Sequence, residues 1–518
     1  MRGIRGHIWG ILTMGWLSCA IGLAQSSFVS EITVPDYGKA WVVAFIPPRY
    51  WPANYIDALL MVNDTSSPPN RKLLGVRFAL DGTPIDALWI GEPIQVYGPP
   101  GHIGKVEPLP DGKLMIFAHN WVGVIDPENP SSRWARRIWG HTATVGRDST
   151  GNPVIAVLQW VGSFSPSGWQ VWIMDTAGNL IRVFRLPAVS FPGIGNFDNL
   201  TMYHTACCRT STQILAYDPV GNHFILASSS NRGGEGIVVY AFTDTGTIRW
   251  ISGILGSYGD TGCSGGDSLG TLPLGDGTIL VYSTCYEYTF LYRINTNTGR
   301  LVETPAVLLG VDGAIRVYPM LTMNYGSLLG YVSSWSGTFG TLFTDWSGWK
   351  LRVPNAKLLA MATTTATSPV RRLWVLGGSD SRDDNPAALL AFIEIDSWAE
   401  YPFGFYPCFE TLLPAAPHPL EAVLNEVTTG SVETVSDASI DPADFPLTTA
   451  QVQATQRCTV CTPSNGDVNG DGCVDDADLL AVLFAFGSEG PNPADVNCDG
   501  VVDDADLLIV LFNFGTGC

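Results

Sequence analysis

A polar turn that recurs at nearly constant spacing constrains this chain more than any other feature. Asp81, Asp126, Asp175, Asp244, Asn295, Asp345 and Asp396 each sit in such a turn between two apolar segments, as in LLGVRFALDGTPIDALWI and WQVWIMDTAGNLIRVFRLP. The steps between them are 45, 49, 69, 51, 50 and 51 residues. A unit of this length holds several strands and cannot bury its apolar face alone, so the units must stack, and a period near 40–50 residues reads as propeller blades. Seven turns give about seven blades. The long third step marks an insertion within residues 188–220, and the strand from Phe28 to Val34 is placed to complete the last blade and close the ring. The expected fold class is therefore mainly β, an about seven-bladed β-propeller over residues 25–405, with a pair of β-sandwiches as the competing arrangement.

Composition supports a folded body and narrows its partners. Hydrophobic residues make up 46% of the chain and charged residues 15%, which excludes disorder along the whole length. The formal charge of −20 argues against nucleic acid or an anionic membrane surface as the main partner. The charge is unevenly spread. From Leu413 onward there are 17 acidic residues against one basic residue, Arg457, whereas everything before holds 31 acidic and 27 basic residues. A nearly neutral body thus carries a strongly acidic tail.

The N-terminus has Arg2 and Arg5, an apolar run from Ile8 to Leu23, and the small-residue pattern Gly22-Leu23-Ala24. This is the layout of a cleavable export signal over residues 1–24, and it leaves no membrane span in the mature chain. A secreted, extracellular or cell-surface-attached protein is expected. Loss of Cys19 with the signal leaves an even number of cysteines, which suits disulfides in an oxidising compartment. Cys207, Cys208, Cys263 and Cys285 lie in the body, and Cys408, Cys458, Cys461, Cys473, Cys498 and Cys518 lie near the end. Between the two, residues 406–463 are rich in Pro, then in Ser, Thr, Ala and Asp, the composition of a linker held as an extended tether.

The tail itself is a duplication. Residues 467–478, DVNGDGCVDDAD, and 495–506, DVNCDGVVDDAD, are offset by 28 residues, and each runs into a closely similar apolar stretch, LLAVLFAFG or LLIVLFNFG. Oxygen-bearing side chains fall at positions 1, 3, 5, 9 and 12, with Gly at position 6. A hard cation such as calcium takes six to eight oxygens, and this spacing wraps one loop around one ion. The candidate ligands are Asp467, Asn469, Asp471, the Cys473 carbonyl, Asp475 and Asp478 in the first loop. In the second they are Asp495, Asn497, Asp499, the Val501 carbonyl, Asp503 and Asp506. Two such loops imply two Ca2+ ions. Gly472 and Gly500 permit the sharp turn, and the crowded carboxylates would oppose folding without a cation.

These residues resemble a type I dockerin over about residues 464–518, with duplicated Ca loops that end in Asp and are each followed by a helix. The resemblance implies a small α-helical, EF-hand-like module that plugs a secreted protein into a cohesin-like or cell-surface partner. It also implies a body that handles extracellular polysaccharide, by binding or by degradation. Positions 10 and 11 are often hydroxyl-bearing in cellulosomal members; here they are Asp476-Ala477 and Asp504-Ala505. In a pseudo-twofold module of this kind Cys461 and Cys518 flank the ends and Cys473 and Cys498 sit in neighbouring loops, so bridges within those two pairs are expected.

The body offers less. Its units resemble PQQ-like and WD-repeat propellers in pattern. The run Gly262-Cys263-Ser264-Gly265-Gly266 fits G-x-S-x-G and Gly266-Asp267-Ser268-Leu269 spells GDSL, but no helix pattern follows, so a Gly-rich inter-blade loop is the better reading. His102, His119, His141, His204 and His223 have no metal-ligand spacing. Trp121 and most other tryptophans suit blade cores. Whether the body is catalytic stays open at this level. The alternative to a binding propeller is a glycan-active hydrolase acting on O-glycosyl bonds through channel carboxylates.

Overall fold

The computed structural model describes residues 28–35, 37, 40–46, 55–63, 71–79, 82–94, 104–118, 120–127, 129–161, 168–197, 214–229, 236–257, 268–285, 288–309, 315–322, 328–334, 350–352, 357–363, 372–378, 388–394, 410–412, 417–420, 422–436, 438–459, 465–488, 492–497 and 501–518. Up to residue 394 the described chain is almost wholly strand. The innermost strands are Ala40–Ile46, Gly104–Pro108, Gly140–Arg147, Leu215–Asp218, Ser268–Pro273, Ile315–Thr322 and Lys357–Thr363, and we number blades one to seven in that order. Each innermost strand touches the next, and the seventh touches the first, so the seven form a closed circle. Six blades are five-stranded antiparallel sheets. The sixth is described as two ladders, Ile315–Thr322 with Leu328–Ser334 and Lys350–Arg352 with Glu410–Leu412. The propeller and its count of about seven blades therefore stand.

Among the described residues the recurring turns join the third and fourth strands of blades two to five, and in two places they also bind one blade to the next. In blade three the turn after Asp175 places Gly178 at φ 83°, where only glycine is at ease. Trp134, on the fourth strand of blade two, lies over that glycine and donates its indole N–H to the Thr176 carbonyl at 2.8 Å. Arg136 donates to the Gly178 carbonyl at 2.8 Å. The same device links blades four and five: the Trp250 indole donates to Thr296 at 2.7 Å and covers Gly299, whose φ is 69°. A small hairpin, Val189–Phe191 with Gly195–Phe197, occupies the insertion expected after blade three and buries Phe191, Ile194 and Phe197 in the core of blades three to five.

Ring closure uses both ends of the chain. Strand Phe28–Thr33 pairs with Ala388–Glu394 of blade seven, with Phe28 opposite Phe392 and Ile32 opposite Ala388. Its other edge pairs with Gln453–Thr459, Thr33 opposite Gln453. That last strand ends a belt. Glu410–Leu412, Pro417–Pro419, Ala422–Thr428, Glu433–Thr434, Asp441–Ala443, Leu447–Thr449 and Gln453–Thr459 add a fifth, outermost strand to blades six, five, four, three, two, one and seven in turn. The belt runs round the ring against the direction of the blades. Within residues 406–463, expected from composition as a tether, the described strands are hydrogen-bonded to the propeller.

The belt is held by side chains as well as by strand pairing. Phe445 packs 5.2 Å from the Trp121 ring within the core of blades one and two. Arg133 donates to the Phe445 carbonyl at 2.6 Å. Asn425 donates to Ser252 Oγ at 2.8 Å in blade four and accepts from the Leu301 amide of blade five at 3.2 Å. Arg185 pairs with Glu433 at 3.1 Å. A free fourth strand would offer a row of unpaired N–H and C=O groups, and the belt covers those edges.

Two outcomes check this account. Gly151 (φ 90°) and Gly178 are both left-handed turn glycines of blade three, but a Cβ on Gly151 meets nothing within 4 Å while one on Gly178 would lie 2.7 Å from Trp134. Gly151→Ala should cost about 1–2 kcal/mol of stability from backbone strain alone, and Gly178→Ala about 1–3 kcal/mol more, read by denaturant unfolding. Phe445→Ala should lower stability by about 3–5 kcal/mol, as for a core aromatic; a shift below about 0.5 kcal/mol would mean that the belt is a tether after all.

Candidate metal centre

The C-terminal region is built from two copies of one loop–helix unit. Helix α1 (Asp476–Ala485) is capped by Asp475, whose side chain accepts from the Ala477 amide at 2.8 Å, while Asp478 accepts from the Asp475 amide at 3.0 Å. Helix α2 (Asp504–Asn513) repeats this reciprocal cap with Asp503 and Asp506, at 2.8 and 2.9 Å. Acidic residues at a helix N-terminus complement its dipole, so this sequence starts a helix at the loop's end for local reasons.

Within the first loop the side chains fold inward. Asp467 accepts from the amides of Gly470 at 2.8 Å and Gly472 at 2.9 Å, and both glycines adopt positive φ. Asn469 accepts from the Asp471 amide at 2.8 Å and donates to the Asp471 carboxylate at 3.0 Å. Asp471 also accepts from the Cys473 amide at 2.9 Å. Asp478, fully buried, accepts from Val468 at 2.7 Å and Asn469 at 3.0 Å and so ties the start of the loop to its end. In the second loop buried Asp506 does the same through the Asn497 amide at 2.9 Å. Asp495 is buried as well, and Val501 is in part exposed. Asp499 and Gly500 lie outside the described residues. Gly470 was not singled out by its sequence position, although an Asn-Gly step is a turn signal.

The two units are related by a pseudo-twofold pairing. Val474, position 8 of the first loop, donates to the Thr516 carbonyl at 3.0 Å and accepts from Gly515 at 2.8 Å. Val502, 28 residues on, donates to Ser488 at 3.0 Å and accepts from Gly487 at 2.8 Å. Each loop therefore pairs with the turn that follows the other unit's helix. Val474, Val482, Ala494, Val502 and Val510 form the small shared core. This geometry corrects the expected bridges: the disulfide is Cys473–Cys518, with Cα atoms 4.6 Å apart. Cys473 thus does not join Cys498, nor Cys518 Cys461, because the twofold sets Cys473 beside the chain's last residues. Cys461 and Cys498 themselves lie outside the described residues.

Residues 464–518 contain eleven carboxylate side chains and no Lys, Arg or His. Burying carboxylates such as Asp478 and Asp506 without a positive charge nearby is costly, and the donors at the assigned ligand positions are all oxygens, a set that suits a hard cation. Among the described residues no three carboxylate, thiol or imidazole groups already converge as a cage, since the loop carboxylates turn to backbone amides. When bound, calcium would supply the charge these loops lack.

Residues 465–511 match the family described as the dockerin type I domain. This part of the chain is a type I dockerin. Dockerins bind calcium. The domain's surface carries a repeated apolar stripe. Phe484 and Phe512, again 28 residues apart, are 87% and 83% exposed, and Leu480, Leu483, Phe486, Leu508, Leu511 and Phe514 are each about half exposed.

For the body, the chain is similar to the Dos1 propeller at 9% identity, covering 71% of this chain and 96% of that one, with a TM-score of 0.38. It is also similar to Sqt1 of Chaetomium thermophilum at 11% identity, covering 73% and all of that chain, with a TM-score of 0.36. A third is PhoX of Pseudomonas fluorescens in complex with vanadate, at 9% identity, 72% and 97% coverage and a TM-score of 0.33. No curated protein matches the chain. The propeller is established by the seven blades themselves.

Other candidate residues of the body sort as follows. Ser268 opens the innermost strand of blade five opposite Thr284, so a strand, not a helix, follows the GDSL string; Cys263 and Ser264 lie outside the described residues. Trp121 is core. His223 is buried beside Trp250 and shares a hydrogen bond with the Gly221 carbonyl at 2.9 Å, an internal turn contact. On the innermost strands Glu107 pairs with Lys105 at 2.6 Å and accepts from Val145 at 2.6 Å and Thr144 at 3.0 Å, while Lys105 donates to the Leu215 carbonyl at 3.3 Å. That network locks blades two, three and four together. Among the described residues no helix is long and apolar enough to cross a membrane.

Simultaneous Asp467→Ala and Asp495→Ala replacement is expected to abolish calcium heat in a calorimetric titration of the full chain and to leave the propeller's melting transition in place. Calcium heat persisting unchanged would overturn the assignment of these two ligands.

Proposed function

We propose that this is an exported protein whose dockerin, loaded with two calcium ions, fastens a seven-bladed propeller to a cohesin-like or cell-surface protein, where the propeller works on extracellular polysaccharide as a binding module. The ligands are Asp467, Asn469, Asp471, the Cys473 carbonyl, Asp475 and Asp478, and in the second loop Asp495, Asn497, Asp499, the Val501 carbonyl, Asp503 and Asp506. The observation that carries the reading is the paired loop–helix unit with its matched, solvent-facing stripe of Leu and Phe side chains. Apolar side chains exposed in this number and order are a docking surface in waiting. The part about polysaccharide is supported only by what dockerins accompany. Among the described residues the channel carboxylate Glu107 is engaged in the interblade network, so no observation favours the glycosidase reading over the binding one.

The test is binding of the full chain to a panel of type I cohesin modules with calcium and with EDTA. Binding that falls at least about a hundredfold on chelation, and again in a Phe484→Ala, Phe512→Ala variant, is expected. Retention of full affinity in EDTA would overturn the docking mechanism. A polysaccharide panel should then be run on residues 25–463 and not on 25–405, since the shorter piece lacks every belt strand. Binding without turnover is expected, and release of reducing sugar would make the body a hydrolase.

A further inference from the structure

We infer that the junction of blades two and three carries a binding site for neutral saccharide units, with Trp139 as a stacking platform and the side-chain amides of Asn120 and Gln159 as its hydroxyl contacts. The site deepens the polysaccharide reading of the propeller and rests on it. Among the described side chains of the body, Trp139 is the one aromatic that is well exposed, at 43%. It sits between the fourth strand of blade two, Arg133–Arg137, and the innermost strand of blade three, Gly140–Arg147. A three-residue turn holds it there: the Gly140 amide donates to the Ile138 carbonyl at 3.0 Å, and the Ile138 amide donates to the Asn120 carbonyl at 3.1 Å. Ile138 is buried in the core of blades two and three. A Cβ on Gly140 would lie 2.7 Å from Phe117 and 2.9 Å from Val157, so the chain after the tryptophan is also pressed against that core. An indole fixed in this way meets a ligand with little left to order.

Two amides flank the turn, and their oxygens are shut from water without a partner. Asn120 is 6% exposed and its Oδ1 makes no hydrogen bond; Gln159 Oε1 is likewise buried and unpartnered. Asn120 adjoins the turn through Ile138, and Gln159 lies directly opposite Gly140 in the ladder of blade three. Directly opposed residues share a sheet face, and the face of Gly140 looks onto Phe117 of blade two, so Gln159 points into the junction. The Cα atoms of Ile138 and Gly140 are at most about 7 Å apart, which brings both amides and the indole within reach of one small ligand. A buried acceptor left unpaired costs free energy that an arriving donor recovers. The last torsion of Asn and Gln is soft, so either amide can turn to a ligand seated on the indole. A hydroxyl both donates and accepts and suits an amide in either orientation, whereas a carboxylate only accepts and an ammonium only donates. A pyranose offers several hydroxyls and an apolar face of C–H groups for the ring. Arg137 lies opposite Trp121, on the sheet face towards blade one, so the amides and not a guanidinium set the charge of the ligand. Access is also divided. The connection at blade seven equivalent to the Trp139 turn follows Thr33, whereas the belt's last strand ends opposite Phe28. The tether to the dockerin therefore starts on the opposite face of the ring from Trp139.

The experiment is affinity electrophoresis of the full chain, with calcium present, through gels that contain a soluble polysaccharide. Hydroxyethyl cellulose, mixed-linkage β-glucan, xyloglucan and galactomannan are the neutral probes, and polygalacturonate and alginate the acidic ones. Retardation by at least one neutral probe is expected. No retardation in any gel would overturn the polysaccharide reading and the site with it; retardation in the acidic gels alone would overturn the site and leave that reading standing. With a neutral probe that binds, Trp139→Ala should weaken binding at least about tenfold, and Trp139→Phe should restore part of the loss. Asn120→Leu with Gln159→Met keeps the shapes and removes both amides. It too should weaken binding at least about tenfold, while the melting temperature holds or rises because two unpaired buried acceptors are gone. Unchanged affinity in Trp139→Ala, or in the amide variant, would overturn the site and place polysaccharide binding elsewhere on the propeller. Should the amide variant fail to fold, the exposed Trp139 decides through its own two variants.

Discussion

A ring of sheets has to be closed, and the rest of this molecule depends on how that is done. The strand Phe28–Thr33 sits inside blade seven with both edges hydrogen-bonded, to Ala388–Glu394 on one side and to Gln453–Thr459 on the other. Terminal strands ordinarily fray because one edge is free. Here Phe28–Thr33 cannot separate without breaking two ladders, so the two ends of the body are joined through one strand. The closure is then extended round the circumference, because the strand that seals Phe28–Thr33 is the last of seven that run along every blade.

The belt changes what the blade junctions are made of. Blades are joined by Trp134 over Gly178 and Trp250 over Gly299, on fourth strands and the turns beside them, and by the Lys105–Glu107 network on the innermost strands. At the rim the junctions are filled from outside: Phe445 between blades one and two, Val435, Ala438 and Ile440 against the core of blades two and three, and Val423, Val427 and Leu420 against that of blades three to five. A segment that packs side chains into these grooves resists rotation of those blades against one another. Its acidic and hydroxyl residues face the opposite way and keep the new outer edges charged, which discourages pairing with other chains.

This division explains what could be read from the sequence. The turns were legible because Asp or Asn with a following Gly marks a left-handed corner between two apolar runs, and their spacing alone carried the blade count. The calcium loops were legible because oxygen donors at fixed positions have few other reasons to recur. The belt was not, because its strands are two to seven residues long and its core contacts come from single residues such as Phe445 and Leu420 spaced among Pro, Ser, Thr and Asp. No window of ordinary length contains two turns of any period there. The disulfide departs from the pairing that the sequence suggests for a different reason. Loop-to-loop symmetry suggests Cys473 beside Cys498, whereas the twofold pairs each loop with the segment after the opposite helix, a relation between positions 45 residues apart that local sequence does not reveal.

The belt also sets the terms on which the dockerin is presented. Gln453–Thr459 is hydrogen-bonded to the ring, and the dockerin match begins at residue 465, so only residues 460–464 connect the two. Five residues reach at most about 18 Å when fully extended, whereas a free segment from 406 to 463 would let the module wander several times farther. The start of the dockerin is therefore tethered close to blade seven, and any load the module transmits enters the body at Thr459, opposite Phe28. That pair belongs to the ladder that closes the ring. Attachment and closure thus share one strand. A seven-residue strand there, against two or three residues at blades one, two, three, five and six, puts one of the belt's two longest grips where the attached module would pull.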